Sequence, residues 1–200
     1  MEKERRFITH KVEVRSEEED AKERIVGYAA TFNKRSQVMS WFDEEIRPGA
    51  FDKVLEDDVR CLQNHDPNYI LGRTLSGTLE ISVDEFGLRY NNLPPDTSYA
   101  KDLIITMKRG DVDQSSFGFN VRDDGEEWVY DEEKGIYHRV IHEVNRLFDT
   151  SPVTYPAYLD TKSMVTRSYD DIVKRFGQSH VNKVMHEHEK RRRELRFIDL

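Results

Sequence analysis

The stretch that most constrains this chain is Gln114-Ser115-Ser116-Phe117-Gly118-Phe119. Its residue types alternate with period two, which predicts an extended strand with Phe117 and Phe119 on one face and Ser116 and Gly118 on the other. The two rings anchor one face in a core. The other face is bare, a hydroxyl followed by no side chain. A glycine inside a strand often marks close approach of another backbone or a ligand. Such a layout suits a serine nucleophile with substrate lying across it. It also suits a buried strand whose small residues pack beneath a helix, the commoner outcome for such a local pattern.

The chain has 200 residues, enough for one domain with a real core plus an appendage. With 36% hydrophobic and 35% charged residues, that core is modest and some charged segments must lie outside it. No apolar run approaches the ~20 residues of a membrane span, and Met1-Glu-Lys-Glu-Arg-Arg6 leads into no signal-peptide apolar region. The single cysteine, Cys61, forms no internal disulfide, which fits a reducing compartment. Charge is uneven: residues 174–200 hold eight Lys/Arg against four Asp/Glu, a net +4, leaving −12 for residues 1–173 out of −8 in all. An acidic body argues against general nucleic-acid binding. The basic end suits either an acidic partner or a solvated helix face.

Taken in order, residues 5–15 read as a strand, 16–20 as an acidic loop and 24–33 as a central strand. Pro48 opens a short helix near 49–56. A strand over 59–64 leads to His65, and a hairpin or meander covers 75–91. Thr97 or Ser98 caps a helix running to about Arg109, with Ala100, Leu103, Ile104 and Met107 on one face and Gly110 ending it. After the Ser116 strand come a short strand at Trp128–Tyr130 and one long strand from Tyr137 to Leu147. Ser151–Tyr158 is extended because of Pro152 and Pro156. Two helices follow, one from Ser168 to Phe176 and one from His180 to about Leu195, whose stripe is Val181, Val184, Met185 and His188. The composition change places a boundary at 162–168, dividing the chain into a body, 1–165, and a basic helical tail, 166–200.

A serine hydroxyl is a weak nucleophile until a base, usually an oriented histidine, takes its proton. Of seven histidines, His65 alone sits at the end of an apolar strand before a turn, Asp66-Pro67, where loops present reactive groups. A structural histidine at that turn is the competing reading. Asp66 should point away from the ring. Glu143, in the Tyr137–Leu147 strand, either faces solvent or partners His65 and sets its tautomer; His142 beside it is the alternative third member. Cys61 and His65, four residues apart on one strand, are about 13 Å apart, too far for a thiol–imidazole pair. His138-x3-His142 and His186-x-His188 lack the spacing of a known zinc motif and read as surface histidines, so no metal and no cofactor is expected. There is no Gly-x-Ser-x-Gly elbow.

Together, Gly27–Asn33, Glu45–Phe51, Asn64-His65-Asp66, Gly110–Phe119 and Ser151–Tyr158 resemble the prohead maturation proteases of tailed bacteriophages, over roughly residues 8–165. That family is similar in fold and catalytic order to the herpesvirus assembly protease. The resemblance implies an α+β fold, a mostly antiparallel β-barrel with flanking helices, plus the C-terminal helical tail. It implies a serine endopeptidase with Ser116 as nucleophile, His65 as base and Glu143 as third member, a carboxylate stabilising an imidazolium better than the neutral ring of His142 would. Thr150-Ser151-Pro152 replaces the arginine-rich oxyanion loop of the herpesvirus relative, so backbone N–H groups such as that of Ser151 are expected there. The implied task is cleavage of scaffold segments from the major capsid protein, and of the enzyme itself, inside the assembling prohead in the host cytoplasm. The tail would dock on capsid or scaffold and later be removed, and self-association is compatible with this role. A non-enzymatic capsid-binding scaffold protein is the alternative.

Overall fold

The computed structural model describes residues 3–8, 12–16, 22–39, 41–155, 169–170 and 172–196. Among these residues twelve strands form three open sheets. The central five-stranded sheet runs β1 (Glu4–Ile8), β9 (Gln114–Val121), β12 (Val144–Val153), β5 (Arg60–Leu62), β6 (Ile70–Arg73). A four-stranded sheet runs β2 (Glu13–Ser16), β3 (Glu23–Thr31), β8 (Gly87–Asn92), β7 (Leu79–Val83). A three-stranded sheet runs β10 (Glu126–Asp131), β11 (Ile136–Ile141), β4 (Phe42–Ile46). The expected α+β class with mostly antiparallel pairing holds, but the expected barrel does not close. Among the described residues each sheet keeps two edges, and the chain passes between sheets at bends instead of wrapping one sheet on itself.

Helix α1 (Ser98–Arg109) buries Ala100, Leu103, Ile104 and Met107, the stripe its periodicity predicts, and Gly110 ends it at φ 85°. The Phe117 and Phe119 rings stack at 4.7 Å, and Phe51 meets Phe117 edge-on at 5.8 Å. These rings join Ile25, Leu88, Leu103 and Leu147 in the main core.

Three expected elements differ. The described part of residues 5–15 belongs to two strands in different sheets, β1 and β2. Residues 48–57 are consecutive turns, not a helix: Ala50, Asp52, Val54 and Asp57 each donate to the carbonyl three residues back, and Gly49 has φ 88°. The long strand expected over 137–147 breaks at His142-Glu143 into β11 and β12. Both amides there donate to the Gly125 carbonyl, at 2.8 and 3.0 Å. This single acceptor turns the chain from the three-stranded sheet into the five-stranded one.

A second core holds both tryptophans. Trp41, Phe42, Trp128 and Tyr137 pack with Ile172, Val181 and Val184. The last two lie on α2 (Gln178–Arg196), so the helical end of the chain packs on the three-stranded sheet. The proposed boundary at 162–168 lies outside the described residues. Because Trp41 and Trp128 are the only tryptophans, emission reports this contact directly. Val184→Asp puts a carboxylate among these rings and should cost roughly 3 kcal/mol. It should red-shift tryptophan emission and open it to quenchers, whereas Lys183→Ala on the exposed face should do neither.

Candidate active site

The site is built on the pairing of β9 with β12. Their antiparallel register sets Ser151 opposite Ser116 and Asp149 opposite Gly118. Two register shifts in β12, between Val144 and Arg146 and between Leu147 and Asp149, re-aim the strand. Bulges of this kind turn a side chain that regular alternation would point elsewhere. Asp149, two residues from Ser151, thereby joins it on the Ser116 face.

The other side of β12 pairs in parallel with β5, Asp149 beside Arg60 and Thr150 beside Cys61. The chain leaving β5 then folds back over β12. Asn64 and His65 have φ of 54° and 58°, the left-handed region that asparagine and histidine tolerate better than most residues. The Asn64 amide donates to the Pro152 carbonyl at 3.0 Å, and its side-chain oxygen accepts from the Thr154 amide at 2.8 Å. Asp66 accepts from the Asn68 amide and so closes the following turn, away from the ring.

The result is a linear array. His65 Nε2 lies 2.6 Å from Ser116 Oγ. On the far side of the ring, Nδ1 is hydrogen-bonded to Asp149 Oδ1. Ser151 Oγ donates to the same carboxylate oxygen at 3.0 Å, and the Lys3 ammonium pairs with Oδ2. Burial works to raise the Asp149 carboxyl, but the hydrogen bond and charge of His65, with Lys3 adding to both, bring it down to about 2. An ionised Asp149 holds the proton on Nδ1 and leaves the Nε2 lone pair facing Ser116. Such an array can take a proton from the serine and stabilise the resulting imidazolium.

Gly118 has a concrete role. A Cβ there would stand 2.5 Å from Asp149 Oδ2 and against the Lys3 side chain. The bare face next to Ser116 therefore makes room for a carboxylate.

Of the residues singled out from sequence, His65 and Ser116 are brought together and Glu143 is not. The expected contact between Glu143 and His65 is replaced by that of Asp149, because the break after β11 leaves Glu143 half-exposed, with Oε2 2.6 Å from Lys53 Nζ. His142 is exposed, its Nε2 3.6 Å from a Glu127 oxygen. Ser151, whose amide is expected to face the oxyanion, gives its hydroxyl to Asp149. His138, expected at the surface, is buried, because β11 is the middle strand of its sheet; its Nδ1 lies 2.5 Å from Asp43 Oδ1. His186 is exposed on α2. Cys61 is fully buried and its thiol is pushed up by burial, which makes it inert. An Asp opening the buried half of a strand, just before Thr150-Ser151-Pro152, is the signal that sequence reading passed over, since strands are poor in Asp.

A buried serine, imidazole and carboxylate joined in series is the arrangement of a serine hydrolase. The profile of the caudovirus prohead serine proteases matches residues 10–175, and the chain belongs to that family. Membership implies a serine peptidase of phage capsid maturation. No curated protein and no solved structure matches the chain.

Two outcomes follow from this geometry. The folded Asp149 carboxyl titrates at about 2, below the unfolded value of about 4, so it contributes stability above pH 4 that is lost as the pH falls towards 2. Urea titrations of wild type and Asp149→Asn should differ in the stability lost over that window by about 2 kcal/mol. Gly118→Ala should dislodge the carboxylate and lower the melting temperature more than Ala does at the open, left-handed Gly77.

Proposed function

We propose that this chain is a serine endopeptidase that cuts scaffold segments from the major capsid protein, and cuts itself, during prohead maturation. Ser116 is the nucleophile, His65 the general base and acid, and Asp149 the carboxylate that orients the ring. The observation that carries this reading is His65 held between Ser116 and Asp149 by its two ring nitrogens.

In the acylation step Ser116 Oγ attacks the scissile carbonyl carbon while its proton passes to His65 Nε2. Asp149 stabilises the imidazolium. The C–N bond then breaks, and the proton on Nε2 goes to the departing amine. Water, deprotonated by the same nitrogen, then attacks the acyl carbon, the C–Oγ bond breaks, and the proton on Nε2 returns to Ser116 Oγ. The family supports placing this reaction inside the assembling capsid in the host cytoplasm, with capsid protein as partner. No helix among the described residues is long and apolar enough to cross a membrane.

The test is co-expression with the capsid protein and inspection of subunit length. Ser116→Ala and His65→Ala should leave capsid subunits uncut, a loss of about 10⁶-fold in turnover. Asp149→Asn should slow cutting by about 10⁴-fold through the wrong tautomer. Glu143→Gln should cut like wild type. A Glu143→Gln defect with normal cutting by Asp149→Asn would reverse the assignment. Truncated capsid subunits that persist in Ser116→Ala would remove the enzyme reading in favour of a scaffold protein.

A further inference from the structure

Ser116 is completely buried, and His65 is nearly so. Part of what surrounds Ser116 is main chain of β1. Strand β1 lies antiparallel along β9 with Arg6 opposite Phe117 and Phe7 opposite Ser116. The Arg6 carbonyl oxygen accepts a hydrogen bond from Ser116 Oγ at 2.7 Å. The one hydroxyl proton thus has two acceptors at nearly equal distance, the Arg6 carbonyl and His65 Nε2. A scissile carbonyl must come up to Ser116 Oγ, and a backbone carbonyl of the chain itself is already there.

Among the described residues β1 is an edge strand, paired on one side only. Its side chains latch it across to the three-stranded sheet. Arg139 donates to Glu4 Oε2 at 2.6 Å, Arg6 donates to Glu44 Oε2 at 2.8 Å, and Glu126 completes the buried cluster. Buried ion clusters of this kind give register more than net stability, because each charge regains its hydration on leaving. Such a strand is well placed and can still come away. Its departure would expose the N–H and C=O groups of β9, which recruit an extended polypeptide by strand addition. It would also take Arg6 away from Glu44 and leave Glu44 and Glu126 facing Arg139 alone, with the cluster's excess of one negative charge unchanged.

The geometry points to the β9 edge as the docking surface for substrate, an extended polypeptide with a basic residue where Arg6 lies, and to β1 as the built-in strand that occupies this surface and restrains Ser116 until it is displaced. This rests on the Ser116–His65 reading above.

A lock and a competitor test it on the full chain. Ile8 and Ser115 are opposite one another in the ladder. Opposite residues of antiparallel strands have Cα atoms about 4.5–5.5 Å apart, within disulfide range. In the double variant Ile8→Cys/Ser115→Cys, an alkyl fluorophosphonate should label Ser116 at least tenfold more slowly when the disulfide is formed than after reduction. Arg6→Gln, which loosens the latch, should label faster than wild type. A synthetic peptide of residues 1–8 should slow labelling of Arg6→Gln, and the same peptide with Arg6→Glu should do so at least tenfold more weakly. Equal labelling of the locked and reduced forms overturns the proposal and leaves the hydrolase reading standing. No labelling of Ser116 in any folded form overturns the hydrolase reading and this inference with it.

Discussion

The ladder between β9 and β12 is the interaction on which the site depends. It is the most extensive pairing in the central sheet, and it carries two of the three groups in the array. The core face of β9 is held by stacked rings, so the strand has no freedom to slip: a shift of one residue would exchange Phe117 for Ser116. The bulges in β12 let Asp149 and Ser151 share the face that Ser116 presents. His65 then needs only to fold back from the neighbouring strand. Two left-handed residues accomplish that, at the modest cost that such conformations carry in non-glycine residues.

Charge is handled in two ways within a short distance. At Asp149 the buried carboxylate is met by the imidazole, a serine hydroxyl and an ammonium, so it stays ionised in spite of burial. At Arg139 burial works to lower the guanidinium, but Glu4, Glu44 and Glu126 together hold it well above its ordinary value. The second cluster ties the three-stranded sheet to β1, and β1 ties it to the nucleophile strand. The ion cluster and the serine strand are therefore linked to one another through β1.

Local patterns were legible from sequence where a single element decides its own fate. The two faces of β9, the buried stripe of α1 and the glycine ending it were readable because period and caps are local properties. Ser116 and His65 could be singled out as candidates, one by an unusual strand face and the other by a strand end. Asp149 could not. Its position depends on a bulge in β12 and on the break at His142-Glu143, both created by partners distant in sequence. Reading 137–147 as one strand put Glu143 where a continuous ladder would place it. The open sheets escaped prediction for a similar reason, since closure depends on which edges meet. The short helix expected after Pro48 gave way to turns once Gly49 took a left-handed conformation.

The coupling of His65 to Asp149 is the central claim, and proton NMR of the imidazole addresses it most directly. A proton held between Nδ1 and an ionised buried carboxylate gives a strongly downfield resonance. The account predicts that resonance in wild type and in Glu143→Gln, and its loss in Asp149→Asn and in His65→Ala. A downfield signal that survives Asp149→Asn and disappears in Glu143→Gln would contradict it.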